Sequence, residues 1–115
     1  MITAKGHNGT VTFDGVFVTI NRTGLNARMS VGKGEKRIPI SQVTATQWKE
    51  PGLMVNGYLS FTLPGGHEAQ SRAGSATFDA TRDENAVIVT RGQRKDFHAL
   101  RAEIDQAIVE RELRR

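Results

Sequence analysis

The chain has 115 residues, of which 37% are hydrophobic and none is cysteine, and its 16 Lys and Arg residues outnumber its 12 Asp and Glu residues. This length fits one domain over 1–115 and allows a hydrophobic core without a metal or a cross-link. The absence of cysteine excludes disulfides, thiolate metal ligands and thiol nucleophiles. No apolar run approaches the ~18 residues of a membrane span and the N-terminus lacks signal-peptide features, so we expect a cytoplasmic protein.

The first predicted element is a β-hairpin around the dipeptide Asp14-Gly15. Apolar residues alternate with polar ones on both sides of it, at Val11, Phe13, Val16, Val18 and Ile20. Alternation is typical of strands with one buried face, and Asp-Gly favours a two-residue hairpin turn. We therefore expect one strand on each side of this dipeptide.

Further short strands are expected downstream, separated by turns rich in glycine and proline. The apolar or alternating runs that predict them are 27–31, 37–40, 43–48, 58–63, 76–78 and 86–90. Pro39 cannot donate a ladder hydrogen bond, so the run that contains it predicts an edge strand. In the run 58–63, alternation places Leu59, Phe61 and Leu63 on the buried face. Strands are thus expected over about 10–90.

From Asp96 the apolar period changes from two to about 3.6, which predicts one helix over about 96–113. Its apolar stripe consists of Phe97, Leu100, Ile104, Ala107 and Ile108. Asp96 is expected either to cap this helix or to lie in its first turn, where an anion is favoured. We predict a mainly β (α+β) fold, in which six or seven antiparallel strands form a barrel or sandwich capped by one C-terminal helix.

Seven short motifs follow one another along the chain. They are G-T-V-T-F-D-G at 9–15, R-T-G at 22–24, I-P-I at 38–40, Q-W at 47–48, P-G at 51–52, N-G-Y-L-S-F at 56–61 and F-H-A-L at 97–100. In this order they resemble the actinobacterial family of domains of unknown function numbered 4429, and the order of elements resembles that of a pleckstrin-homology-like (PH-like) domain. The resemblance implies a PH-like fold and a bacterial or phage origin, and it implies no reaction.

No constellation in the sequence indicates catalysis or a cofactor. The histidines His7, His67 and His98 are far apart, without metal-ligand spacing. Ser75 lacks the surrounding glycines of a nucleophile elbow, and Gly32-Lys33-Gly34 lacks the spacing of a phosphate-binding loop. We therefore expect a protein that is not an enzyme and that uses no metal or small-molecule cofactor.

Positive charge is concentrated in residues 22–37, the basic segment. Against the single acidic residue Glu35 it contains Arg22, Arg28, Lys33, Lys36 and Arg37, and its charge of +4 equals that of the whole chain. In a PH-like fold this segment would span turns where members of the wider superfamily hold anionic head groups. It is therefore a candidate for binding the inner face of an anionic membrane. The alternative is that these residues are ordinary solvated surface charges. Nucleic acid is not expected, because no aromatic residues interleave with these cations.

The second candidate is the apolar triplet Leu53-Met54-Val55. It lies between Pro51-Gly52 and Asn56-Gly57, and if both dipeptides are turns the triplet is exposed in a loop. Alternatively, Met54 or Val55 begins the next strand and packs inward.

The function that these features predict is protein–protein binding or self-association, with a homo-oligomer as one outcome. Leu53, Met54 and Val55 are the expected contact, and Lys33, Lys36 and Arg37 are its expected electrostatic rim. The edge strand at Pro39 offers β-augmentation as another route. The alternative is an adaptor that binds an anionic membrane through the basic segment.

Overall fold

The computed structural model describes residues 1–22, 34–65 and 83–114. The strands are β1 (Ile2–Lys5), β2 (Thr10–Phe13), β3 (Phe17–Arg22), β4 (Gly34–Pro39), β5 (Ala45–Lys49), β6 (Gly57–Thr62) and β7 (Ala86–Val89). The helix α1 spans Arg94–Leu113, and short 3-10 helices lie at Ile40–Gln42 and Arg91–Gln93. The runs 27–31 and 76–78 lie outside the described residues.

The described strands form two antiparallel sheets, which hold β1-β2-β3-β4 and β5-β6-β7 in those orders. The prediction of a mainly β fold with one C-terminal helix is therefore confirmed. Within the described ranges the two sheets share no strand pairing, and they do not close into a barrel.

The hairpin between β2 and β3 is confirmed, but the prediction that Val16 belongs to the second strand was wrong. Asp14 accepts hydrogen bonds at Oδ1 from the backbone N–H groups of Val16 (2.9 Å) and Phe17 (2.7 Å). Gly15 has φ +97°, which glycine adopts readily, and Asp14 pairs with Phe17 across the turn. The turn therefore includes Val16, which is exposed.

Of the four strands in the first sheet, the sequence pattern predicted β2, β3 and β4 but not β1. β1 pairs with β2 and buries Ala4, but its apolar positions are only Ile2 and Ala4, too few to form a clear pattern. β4 lies at the edge of this sheet, as Pro39 predicted. Ile38 is buried in β4, whereas Ile40 begins a 3-10 helix.

The core lies between the sheets and α1. β6 contributes the fully buried Leu59 and Phe61, and the apolar stripe of α1 contributes Phe97, Leu100 and Ile104. The helix packs against β1, β5 and the 3-10 helix at Ile40–Gln42.

Of the two positions expected for Asp96, the helix cap and the first turn of α1, the structure shows the first turn. Asp96 lies in the first turn and is not the cap, because the helix begins at Arg94 after Gln93. Gln93 accepts a hydrogen bond from the backbone N–H of Thr90 at Oε1 (3.0 Å) and returns one from its own N–H to the Thr90 carbonyl (3.0 Å). These reciprocal bonds fix the path from β7 into the helix.

Candidate interaction surface

Leu53, Met54 and Val55 lie in the loop between β5 and β6, and we call them the apolar tip. Their exposed fractions are 82%, 94% and 57%. β6 begins only at Gly57, so neither Met54 nor Val55 starts the strand. The loop placement is thus the correct alternative of the two.

The base of the apolar tip is tightly closed. The N–H of Gly52 donates to the carbonyl of Val55 (2.8 Å), and both Pro51 and Gly57 are buried. A Cβ on Gly57 would collide with the carbonyl oxygen of Lys49 and would lie 2.7 Å from the backbone nitrogen of Pro51. Only glycine fits there, and the tip is therefore presented from a fixed base.

Glu50 joins this base to the first turns of α1. Its Oε1 accepts a hydrogen bond from Trp48 Nε1 (2.9 Å) and lies 2.7 Å from His98 Nε2, while its Oε2 lies 3.9 Å from Arg94 Nε. The hydrogen bonds from His98 and Trp48 lower the pKa of Glu50 below its usual value of 4.5, and the charges of His98 and Arg94 act in the same direction. The carboxylate is therefore held ionised between the strand and the helix.

A cleft of about 370 Å³ opens at the start of α1, and we call it the basic cleft. It is lined by Arg91, Gly92, Arg94, Lys95 and His98. Gly57 pairs with Val89, two residues before Arg91, and Glu50 contacts His98. Both stems of the tip loop thus lie beside the basic cleft. These cations were not predicted as a site, although Arg91, Arg94 and Lys95 lie within five residues of one another in the sequence.

Arg22 of the basic segment is buried, with 5% of its surface exposed. Its guanidinium donates hydrogen bonds to the carbonyl oxygens of Asn8 (3.1 Å), Glu84 (3.2 Å) and Ala86. Burial lowers the pKa of Arg22, against the opposing effect of the Asp83 and Glu84 charges. Arg22 therefore holds the fold together and adds nothing to the exposed basic surface.

The other described cations of the basic segment lie on β4. Lys36 forms an ion pair with Glu84, and the guanidinium of Arg37 lies 4.0 Å above the centre of the Phe17 ring. Glu84 precedes β7, whereas the base of the apolar tip meets the other end of β7, where Gly57 pairs with Val89. The structure thus does not place Lys36 at the rim of the tip. Arg28 and Lys33 lie outside the described residues.

Two further properties concern the described ranges 1–22, 34–65 and 83–114. Their His, Asp and Glu side chains form no group of three that could hold a metal ion. They contain no helix that is both long and apolar enough to cross a membrane.

Fold and surface together define a class of protein: a small two-sheet β domain with a C-terminal helix and an exposed apolar tip. The chain belongs to the family described as Domain of unknown function (DUF4429), whose model matches residues 11–105. This match confirms the family that the ordered motifs resembled. No curated protein and no solved structure gave a significant match. An actinobacterial or phage origin stays a prediction.

We expect Glu50 to make the stability of the domain depend on pH. Because its pKa is lower in the folded state, its contribution is fully present above the unfolded value near 4.5 and is lost as the pH falls through the folded value. A Glu50→Gln variant should melt at a lower temperature than the wild type at neutral pH, and this difference should shrink in acid. Thermal melts across a pH series measure it, and a difference that persists undiminished at low pH would contradict the assignment.

Proposed function

We propose that the domain is a non-enzymatic interaction module and that the apolar tip is its contact surface. The observation that carries the proposal is the exposure of three consecutive large apolar side chains, Leu53, Met54 and Val55. Side chains of this kind gain free energy when they leave water, and at the tip of a loop they do so only on contact with another molecule. The fixed base supports the same proposal, because a preorganised loop loses little conformational entropy on binding.

A PH-like scaffold is part of this proposal. Four strands in one sheet and three in the other, followed by a C-terminal helix, agree with the order of elements in such domains. The apolar tip then lies on a connection between strands of the second sheet, and binding sites are commonly found on such loops.

Membrane binding through the basic segment receives less support. Of its described cations, Arg22 is buried, Lys36 is paired with Glu84, and Arg37 covers Phe17. Self-pairing through the edge strand β4 stays a prediction.

The substitution Met54→Asp tests the proposed contact. Met54 is 94% exposed, so the free energy of unfolding should change by no more than about 0.5 kcal/mol. Tip-dependent contact should weaken at least tenfold, because a carboxylate at the tip must be desolvated on binding. Light scattering over a range of protein concentrations measures contact with a second copy, and vesicle co-sedimentation measures contact with a bilayer.

Val109→Asp is the matched control for this substitution. Val109 is also an exposed apolar residue, but it lies about four turns along α1 from Arg94, roughly 22 Å away along the helix axis. This control should leave every contact unchanged. If wild type, Met54→Asp and Val109→Asp behaved alike in both assays, the apolar tip would not be the contact surface.

A further inference from the structure

The start of α1 carries positive charge that the stability of the helix does not explain. Arg91, Arg94 and Lys95 lie at the end of the helix where the backbone dipole is itself positive, and cations there are unfavourable. Arg94 lies near Glu50, but in the described part of the chain the side chains of Arg91 and Lys95 have no ion-pair partner. At least two cations of the basic cleft are therefore available to an external anion.

Two contacts of the tip loop place the basic cleft beside the apolar tip. Glu50, at one stem of the tip loop, contacts His98 in the cleft. Gly57, at the other stem, pairs with Val89 just before the cleft begins. An occupant of the tip therefore meets the cations of the cleft, and its chemistry must suit both an apolar projection and positive charge.

A second copy, a folded protein partner and an anionic bilayer differ in how well they suit an apolar tip beside positive charge. A second copy in a two-fold contact would bring its own basic cleft towards the first one, and the like charges would repel. A folded protein partner would need about 800 Å² on each side, which three side chains do not supply. An anionic bilayer accepts a convex apolar projection without a complementary pocket and attracts the cations beside it.

We propose that the apolar tip inserts into the surface of an anionic phospholipid bilayer while Arg91 and Lys95 bind its head groups. This inference rests on the proposed function of the tip and names its partner. Membrane anchoring by a weak apolar signal becomes stable when a basic patch acts with it, and this surface combines the two. The site differs from the place of Lys36, which pairs with Glu84 before the start of β7, whereas the basic cleft follows the end of β7 at Val89.

The test is binding of the full chain to vesicles of phosphatidylcholine with and without phosphatidylserine. We expect binding that requires phosphatidylserine and weakens as salt is added. The double variant Arg91→Gln/Lys95→Gln should weaken it roughly tenfold or more, because each cation near an anionic surface contributes to the partition coefficient. Met54→Asp should weaken it by at least a similar factor.

The matched control is the double variant Lys36→Gln/Arg37→Gln. It removes the same number of positive charges from β4, so a purely global effect of net charge would weaken binding equally in both double variants. We expect this control to bind nearly as well as the wild type. Circular dichroism and thermal melts confirm that each variant is folded before its binding is compared.

Insertion itself can be observed because the chain contains no cysteine. Asn56→Cys places a single label beside the apolar tip at an exposed position, and an environment-sensitive dye there should shift to the blue on phosphatidylserine vesicles. The same dye on Val109→Cys should not shift.

The outcomes separate this inference from the function on which it rests. The inference is overturned if vesicles with phosphatidylserine are not bound, if both vesicle types are bound equally, or if the Lys36/Arg37 variant loses as much binding as the Arg91/Lys95 variant. If vesicles fail but the chain self-associates and Met54→Asp abolishes that association, the tip is still a contact surface and its partner is a second copy. If neither contact is found, both proposals fail.

Discussion

Replacing Arg22 with alanine is expected to lower the free energy of unfolding by about 3–5 kcal/mol. Its guanidinium is buried and donates to the carbonyl oxygens of Asn8, Glu84 and Ala86, which belong to the loop after β1 and to the entry into β7. Alanine would remove the donor to the buried carbonyl groups of Asn8 and Ala86 and the positive charge that interacts with Asp83. The loop after β1 and the start of β7 would lose a shared anchor.

Urea denaturation of the variants measures this effect. Arg37→Ala is the control, because Arg37 is exposed on β4 and its contact with Phe17 contributes no more than about 1 kcal/mol. Arg22→Lys keeps the charge but cannot reach three carbonyl groups with one ammonium, so it should fall between wild type and Arg22→Ala. It also keeps the test informative if the alanine variant does not fold. An Arg22→Ala variant as stable as Arg37→Ala would show that the buried guanidinium is dispensable.

The burial of Arg22 could have been predicted from the alternation in β3. The alternation in β3 buries Val18 and Ile20, and the same period of two places Arg22 on that inward face. A sum of charge along the chain ignores this period and therefore places Arg22 in the basic segment. The pattern could therefore have predicted a buried arginine, although not the carbonyl groups that it binds.

Other features required contacts that no local pattern contains. Turn dipeptides on both sides indicated an exposed loop at Leu53-Met54-Val55 but left open the alternative that Met54 or Val55 begins β6. Periodicity was enough to predict β6 and α1, and a continuous apolar run was enough to predict β7. β1 was not predicted, because its two apolar residues form no clear pattern and the strand depends mainly on pairing with β2. The basic cleft lies beside the apolar tip only because Gly57 pairs with Val89 and Glu50 meets His98, and these pairings belong to the tertiary structure.

Gly57→Ala is expected to destabilise the domain by about 1–3 kcal/mol, near the upper end of that range. The new Cβ would collide with the carbonyl oxygen of Lys49 and would lie 2.7 Å from the backbone nitrogen and 2.9 Å from the Cδ of Pro51. These atoms belong to the backbone and to a proline ring, which cannot rotate away as a flexible side chain can. The strain must therefore open the base of the loop or disturb the pairing between β6 and β7.

Gly52→Ala provides the matched control within the same loop. Among the described residues, its Cβ would approach the carbonyl oxygen of Val55 at 3.9 Å, which is an ordinary contact, so the stability should change by no more than about 0.5 kcal/mol. Urea denaturation and vesicle binding of the two variants separate two roles of Gly57. Because the tip residues are unchanged, a folded Gly57→Ala protein that binds less well than Gly52→Ala would show that contact depends on how the base presents the tip. If both variants were as stable as the wild type, the close approach between Gly57 and Lys49 would not constrain this loop.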